Sequence, residues 1–283
     1  MMKVGIIGLG LIGGSISLKL KEIFSDSKIS GFDLNNDSLE YSIINNIIDN
    51  NLELDNLEGL DYIFIAIPVD SLKKELPAIL DKVSDDTLVI DLGSTKHEIC
   101  KHILNHKRRK NFLAAHPIAG TEFSGPKASK KELFDDKVII LCDVEKTHPE
   151  LLDKAMILFS KMNMKIKKMS SINHDKHIAY VSHLSHISSF MLGKTVMDKE
   201  KDEDTIYDMA GSGFESTVRL AKSSPETWSS IFLENKKNII ESLNEYISNI
   251  NNFKDLIEDD EKEKLLNEMN KINGIKEILK EIK

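Results

Sequence analysis

The stretch that decides the fold lies near the amino terminus, where residues 4–13 read Val-Gly-Ile-Ile-Gly-Leu-Gly-Leu-Ile-Gly. A short apolar run leads directly into a GxGxxG pattern, which is typical of a buried strand, a tight turn and the start of a helix. Gly8 permits the turn, Gly10 lets a pyrophosphate approach the backbone, and Gly13 lets the helix pack closely on the strand. The pattern therefore predicts a phosphate-binding turn at a helix amino terminus.

An acidic residue follows this turn at the expected distance. Asp33 ends the next predicted strand, 20 positions after Gly13. A carboxylate there accepts hydrogen bonds from the adenosine ribose hydroxyls and repels a 2′-phosphate. The three residues after Asp33 are Leu, Asn and Asn, so no Lys or Arg is present to bind a 2′-phosphate. The sequence thus predicts NAD rather than NADP as the cofactor, bound by Gly8, Leu9, Gly10, Leu11, Ile12, Gly13 and Asp33.

The first half of the chain alternates between strand-like and helix-like stretches. Strands are predicted over residues 4–7, 29–33, 62–67, 88–92, 112–115 and 138–142, with amphipathic helices between them. Several of these strands are continuous apolar runs, as in a parallel sheet that is covered on both faces. After about residue 173 only helices are predicted, including 175–197 and 225–249. We therefore expect an α/β fold with a Rossmann-type domain over residues 1–170 and an all-α domain over residues 171–283.

Composition and charge exclude several classes of protein. The 283 residues are 41% hydrophobic and 30% charged, which is typical of globular domains, and the longest apolar runs are far shorter than a membrane helix requires. A net charge of −8 argues against a nucleic-acid partner. No export signal is recognised, and Cys100 and Cys142 form no CxxC pair, so we expect two reduced thiols in a cytoplasmic protein. The basic run at residues 106–110 is interpreted as a solvated helix end.

Histidines are the first candidates for the chemistry. Four of the nine lie between residues 174 and 186. On a helix, Ser182 and His186 share one face, and His183 neighbours His186 on it. A metal site is the alternative for this pair, but the sequence offers no HExxH motif and no third ligand at a fixed spacing, so no metal is predicted.

Two further segments follow predicted strands directly. His116 begins the run His-Pro-Ile-Ala-Gly-Thr-Glu, and Ser94 lies in the run Asp-Leu-Gly-Ser-Thr-Lys that starts at Asp91. Ligands of open α/β sheets bind at the carboxyl ends of the strands, so His116 is placed to meet the nicotinamide. Ser94 is free to cap the next helix, to contact the cofactor, or both.

Taken together, these motifs resemble the prephenate/arogenate dehydrogenase family. The matching segments run in the family's order from residue 4 to about residue 237 and are residues 8–13, 91–96, 116–122, 174–175, 182–186 and 217–219, with Trp228 beyond them. The resemblance implies an NAD domain followed by a helical domain through which two subunits dimerise, with the active site in the cleft between the domains. One departure is Ser185, where the family commonly has proline.

The resemblance also implies roles for individual residues. His116 matches the catalytic histidine, Ser94 the serine that orients this histidine and the nicotinamide, and Arg219 the arginine that binds the substrate carboxylate. Five further residues match positions that line the substrate pocket: Glu122, His174, Ser182, His183 and His186. The implied reaction is the NAD-dependent oxidation and decarboxylation of a cyclohexadienol. Neutral imidazole is a suitable acceptor for the hydroxyl proton, and a guanidinium suits an anionic substrate.

Several alternatives remain open on the sequence alone. Prephenate is favoured over arogenate because histidines near the side-chain end of the substrate, with His186 as the candidate, offer no acid to pair with an ammonium. A two-domain dehydrogenase of the 3-hydroxyacid type would be expected to use a catalytic lysine, where this chain has histidines. The remaining alternative is a catalytically silent NAD-binding regulator, against which the His116 and Arg219 motifs argue.

Overall fold

The computed structural model describes residues 1–203 and 205–281. Its central feature is a sheet with strand order β3-β2-β1-β4-β5-β6-β7-β8. The strands are β1 (Lys3–Ile7), β2 (Lys28–Phe32), β3 (Asn50–Asn51), β4 (Tyr62–Ile65), β5 (Leu88–Asp91), β6 (Phe112–Pro117), β7 (Val138–Cys142) and β8 (Lys165–Met169). Strands β1 to β6 pair in parallel, whereas β7 runs antiparallel to β6. The first six strands have the order of a doubly wound dinucleotide-binding sheet, which confirms the predicted fold class.

Helices cover this sheet and then continue alone to the end of the described chain. They are α1 (Leu11–Ile23), α2 (Asn36–Ile44), α3 (Val69–Asp81), α4 (His97–His102), α5 (Pro149–Lys161), α6 (Ser171–Ile178), α7 (Leu184–Glu203), α8 (Ser212–Val218), α9 (Pro225–Glu234), α10 (Lys236–Glu258), α11 (Lys262–Ile272) and α12 (Ile275–Glu281). No helix in the described ranges is long and apolar enough to cross a membrane.

Two apolar clusters lie on opposite faces of the sheet. Alternate residues of β1 separate cleanly, since Ile6 belongs to one cluster and Ile7 to the other. This is the expected result for a strand that is buried on both faces, and it explains why the strands appear in the sequence as continuous apolar runs. Cys100 and Cys142 are buried and unpaired, and burial raises the pKa of both thiols.

Sequence patterns missed the two edge strands, β3 and β8. Strand β8 reads Lys-Ile-Lys-Lys-Met and exposes most of its length, so it lacks the apolar run by which the inner strands were recognised. Lysines are common on edge strands because they discourage pairing with another chain. Strand β3 has only two residues, both exposed asparagines.

The helical region is more interrupted than the periodicity predicted. The helix expected over residues 175–197 is divided by a π-helical turn at Ala179–His183, and the helix expected over residues 225–249 stops at Asn235. Both breaks bring polar side chains into the site described below. The chain divides into two compact units, Met1–Lys236 and Lys237–Lys283. The domain boundary expected after residue 170 stays a prediction.

Helix α9 is held against the sheet domain by its contacts with α3. The Ser230 hydroxyl accepts a hydrogen bond from the backbone N–H of Asp70 at 3.2 Å and donates one to its carboxylate at 2.8 Å. Lys73 forms an ion pair with Glu234 at 3.0 Å. Ile231 at 2% exposure packs into the core beside α3. These contacts fix the residues of α9 relative to the nucleotide-binding half.

Candidate active site

The glycine turn is shaped for a bound phosphate. Gly8 has a φ of 93°, and a Cβ atom there would lie 2.5 Å from the Ala66 carbonyl oxygen. A Cβ atom on Gly13 would lie 1.9 Å from the Gly8 carbonyl oxygen, so only glycine lets α1 pack this closely. A Cβ atom on Gly10, in contrast, would meet nothing within 4 Å. Packing requires glycine at positions 8 and 13, whereas Gly10 leaves the space that a ligand needs.

Asp33 joins the turn to the end of the second strand. Its Oδ2 atom accepts a hydrogen bond from the backbone N–H of Leu9 at 2.8 Å, and Oδ1 accepts one from Asn35 at 2.9 Å. Each oxygen keeps a further lone pair for a ribose hydroxyl. Leu11 and Ile12 form the first turn of α1, whose free N–H groups face the phosphate position in this type of fold. These residues fit NAD.

Three side chains form a continuous hydrogen-bonded chain that leads to His116. The Asp175 carboxylate lies 2.7 Å from Nδ1 of His174, and Nε2 of His174 lies 2.8 Å from Nδ1 of His116. A carboxylate only accepts, so His174 carries its proton on Nδ1 and presents the lone pair of Nε2. His116 must then donate from Nδ1, which leaves its Nε2 as a hydrogen-bond acceptor. The chain thus orients His116 as a base.

Electrostatics keep His116 neutral. Burial lowers its pKa well below the ordinary value, and the nearby His174, Lys96 and His183 lower it further. An imidazole in this environment is unprotonated at neutral pH and is able to accept a proton.

Asp175 also holds the loop after β5. Its two oxygens accept the backbone N–H groups of Lys96 and His97, each at 2.8 Å. The Lys96 ammonium is buried, paired with Asp91, and donates to the Ala115 carbonyl at 2.9 Å. The sequence analysis assigned no role to Asp175, although residues 174–175 form one of the segments that match the family. The Asp175 carboxylate therefore holds both this loop and the hydrogen-bonded chain that leads to His116.

Ser94 lies in this loop and is half-buried. Helix α4 begins at His97 without a side-chain cap, so Ser94 does not cap it. Within residues 1–203 and 205–281, no hydrogen bond joins Ser94 to His116. Its expected role toward the nicotinamide remains a prediction.

The rings of His183 and His186 both contact Trp228. The His186 ring stacks on the indole with centroids 3.3 Å apart, and the His183 ring meets it edge-on at 5.9 Å. His186 donates from Nδ1 to the Ser182 carbonyl at 2.9 Å, so its Nε2 is an acceptor. Burial is the largest cause that lowers the pKa of His186, and the charge of Arg219 lowers it further.

His183 is fully buried, and burial lowers its pKa to about 4. Asn235 donates to its Nδ1 at 3.2 Å and to the Asp175 carbonyl at 2.7 Å. Asn235 lies at the break between α9 and α10. Its side-chain amide thus connects α6 to the π-helical turn. Sequence analysis missed this residue, since an asparagine within a helical pattern carries no distinctive signal.

Arg219 contacts the segment that follows β6. Its guanidinium lies 3.3 Å from the carboxylate of Glu122, and its side chain is 51% exposed. The segment around Arg219 is held by Ser189 of α7, which donates to the Thr217 carbonyl at 3.0 Å and accepts from the Ala221 N–H at 3.1 Å. The structure thus brings Arg219 next to Glu122 and within electrostatic reach of His186.

No group of three or more metal-ligating side chains occurs in the described ranges.

Two family models match the chain. Residues 16–168 match the model described as the nucleotide-binding domain of prephenate dehydrogenase, and residues 170–271 match the model described as its dimerization domain. The curated prephenate dehydrogenase of Bacillus subtilis is 29% identical over 264 residues, which covers 91% of this chain and 71% of the relative.

Solved structures agree with these matches. The crystal structure of prephenate dehydrogenase from A. aeolicus in complex with hydroxyphenyl propionate and NAD+ has a TM-score of 0.90 at 29% identity, covering 99% of this chain and 98% of that one. Arogenate dehydrogenase from Synechocystis has a TM-score of 0.80 at 26% identity, covering 98% and 100%. These likenesses confirm the resemblance and the NAD cofactor that the sequence predicted.

Proposed function

The chain belongs to the prephenate dehydrogenase family and is an NAD-dependent oxidoreductase, and on that premise we propose that it converts prephenate to 4-hydroxyphenylpyruvate by oxidative decarboxylation in tyrosine biosynthesis. The observation that carries the proposal is the chain of hydrogen bonds from Asp175 through His174 to His116. It leaves a neutral imidazole with a free acceptor nitrogen at the carboxyl end of β6, where a ligand of this fold binds.

The reaction needs one proton acceptor at the ring hydroxyl. Bound NAD+ supplies the hydride acceptor for the ring carbon that bears this hydroxyl. As that carbon becomes a carbonyl, its hydroxyl proton passes to Nε2 of His116. The ring carboxylate leaves as carbon dioxide, its bonding electrons complete the aromatic ring, and the resulting phenolate oxygen takes the proton back from His116. His174 and Asp175 hold the imidazole in the accepting tautomer and stabilise the imidazolium that forms.

Arg219 is proposed to bind a substrate carboxylate. A guanidinium forms paired hydrogen bonds with a carboxylate, and the half-exposed side chain of Arg219 is accessible to an incoming anion. Glu122 balances the charge of Arg219 before substrate arrives. Ser182, His183 and His186 are proposed to line the side-chain end of the pocket, with Ser94 beside the nicotinamide.

Prephenate is proposed over arogenate because of the charges around that pocket. Arogenate carries an ammonium group, which an unpaired carboxylate would recognise best. The histidines near Trp228 supply none, and the carboxylate of Glu122 is already paired with Arg219. Solved structures of a prephenate dehydrogenase and of an arogenate dehydrogenase are nevertheless both similar to this chain. Arogenate is therefore the second candidate substrate.

The test is a steady-state assay of NADH absorbance with prephenate and arogenate supplied separately. A kcat/KM for prephenate at least tenfold above that for arogenate supports the proposal. A preference for arogenate would assign the second candidate instead, and no turnover of either substrate would favour the silent regulator. We further propose that the enzyme acts in the cytoplasm as a homodimer, in keeping with its match to a dimerization domain.

A further inference from the structure

A cavity lies between α4 and the start of α6. It has a volume of about 250 Å³ and is bordered by α4, the turn before β6, the segment after β7 and the start of α6. Lys101, Arg109 and Lys146 contribute positive charge to its lining, while Leu104 and Ile172 contribute apolar surface. Its lining includes none of the residues assigned above to NAD or to the substrate.

Arg109 is the unusual member of this lining. The sequence pattern predicted that it would lie in a solvated basic run, but its exposure is only 7%. Its Nη1 atom donates to the Phe112 carbonyl at 3.0 Å, and Nε is buried without a hydrogen-bond partner. Among the residues that the structure describes, no carboxylate lies within 4.0 Å of this guanidinium to form an ion pair. The guanidinium carbon also lies 5.4 Å from the centroid of the Phe112 ring, a contact that offsets only part of the cost of burying an unpaired cation.

The lining also limits which anion fits. Asp143 and Glu145 border the cavity, and Oδ1 of Asp143 already accepts the backbone N–H of Ser171 at 2.8 Å. Three cationic side chains against two acidic ones leave a single net positive charge, which suits a monoanion better than a phosphate dianion. The volume lies just below the range of ordinary ligand pockets, about 300–1,000 Å³, so a nucleotide is too large.

We propose that this cavity is a binding site for a small organic monocarboxylate, whose carboxylate pairs with Arg109 and whose apolar part lies against Leu104 and Ile172. A carboxylate matches the donors that the two Nη atoms of a guanidinium present. The proposal is independent of the substrate assigned to the active site, since the two sites share no residue.

The first experiment locates the ligand directly. Crystals of the full chain with NAD+ are soaked in 4-bromobenzoate, and the anomalous signal of bromine is mapped. The proposal expects a peak in the cavity with the carboxylate against Arg109. Bromine found only beside Arg219, or only on exposed surface, would overturn the assignment.

The second experiment measures affinity in solution by calorimetry with benzoate. All titrations use an Arg219→Ala background, so that a carboxylate bound at the active site does not contribute. Arg109→Met is expected to weaken binding roughly tenfold or more, because a charge-assisted pair is lost. Lys146→Met, at an exposed position, is expected to weaken it severalfold and keeps the test valid if Arg109→Met fails to fold.

Lys110→Met is the matched control, since Lys110 is an exposed neighbour of Arg109 that does not line the cavity. Its benzoate affinity is expected to equal that of the background chain. Equal weakening by Lys110→Met would show a general charge effect and contradict the site. Inorganic phosphate is titrated in parallel, and tighter binding of phosphate than of benzoate would also overturn the proposal.

Discussion

The carboxylate of Asp175 accepts a hydrogen bond from Nδ1 of His174 at 2.7 Å, although the two residues are adjacent in the chain. Neighbours on a helix ordinarily point in different directions. Here the Asp175 side chain is also held by the N–H groups of Lys96 and His97, which fixes it beneath the histidine. The same carboxylate therefore sets the conformation of a loop and the tautomer of two imidazoles.

Asp175→Asn tests the hydrogen-bonded chain from Asp175 through His174 to His116. An amide can donate to His174, which allows the opposite tautomer and leaves Nε2 of His116 protonated. We expect kcat to fall about 10²–10⁴-fold while KM for NAD changes little, by analogy with the loss of an orienting carboxylate in other triads. His177→Asn, an exposed substitution on the same helix, is the matched control. If a lower Tm, and hence a smaller folded fraction, accounts for the whole fall in kcat, Asp175 has a purely structural role.

His116→Asn tests the base itself. Removing the proton acceptor is expected to lower kcat by ~10²–10⁴-fold and to leave NAD affinity nearly unchanged. Steady-state kinetics and a fluorescence titration with NADH measure the two quantities separately. An equal loss of cofactor binding would contradict a role confined to proton transfer.

Arg219→Ala is expected to act mainly through KM of the substrate, which should rise roughly 10- to 100-fold because a charge-assisted contact is lost. Lys222→Ala, an exposed cation in the same short helical turn, is the control and should change KM far less. If Arg219→Ala lowers kcat at unchanged KM, the arginine acts in the transition state rather than in substrate binding.

Gly10→Ala should separate cofactor binding from folding. The added methyl group meets no protein atom within 4 Å, so Tm should hold, whereas NADH affinity should fall roughly tenfold or more where the pyrophosphate approaches the backbone. Gly213→Ala, at another uncrowded glycine, should change neither quantity. Unchanged NADH affinity in Gly10→Ala would remove the assignment of this turn to the cofactor.

His183 should make stability fall on acidification. Its pKa is about 4 in the folded chain, against an ordinary value of 6.5. Below about pH 6.5 the unfolded chain therefore binds a proton that the folded chain excludes, and stability is lost until about pH 4, by an amount on the order of 3 kcal/mol. Chemical denaturation across this pH range should show that the free energy of unfolding depends less steeply on pH in His183→Asn than in the unsubstituted chain. The asparagine retains an acceptor for Asn235. An identical slope in both proteins would contradict the contribution of His183.

Local patterns in the sequence were sufficient for the nucleotide-binding half. The glycine turn, Asp33 and the inner strands each depend on a few consecutive residues whose chemistry permits one main conformation. The edge strand β8 was not recognisable, because its pairing with β7 is decided by the position of the sheet edge rather than by an apolar run.

The amino-acid sequence by itself determined the inner strands, the cofactor turn and the set of histidines, because periodicity and motif spacing are local properties. Only the tertiary structure decided that Asp175 and Asn235 belong to the site and that Arg109 is buried rather than solvated. Contacts such as the one between Asp175 and Lys96 join residues 79 positions apart, and their formation depends on how the helices pack on the sheet. Such contacts leave no local periodicity in the sequence from which they could be predicted.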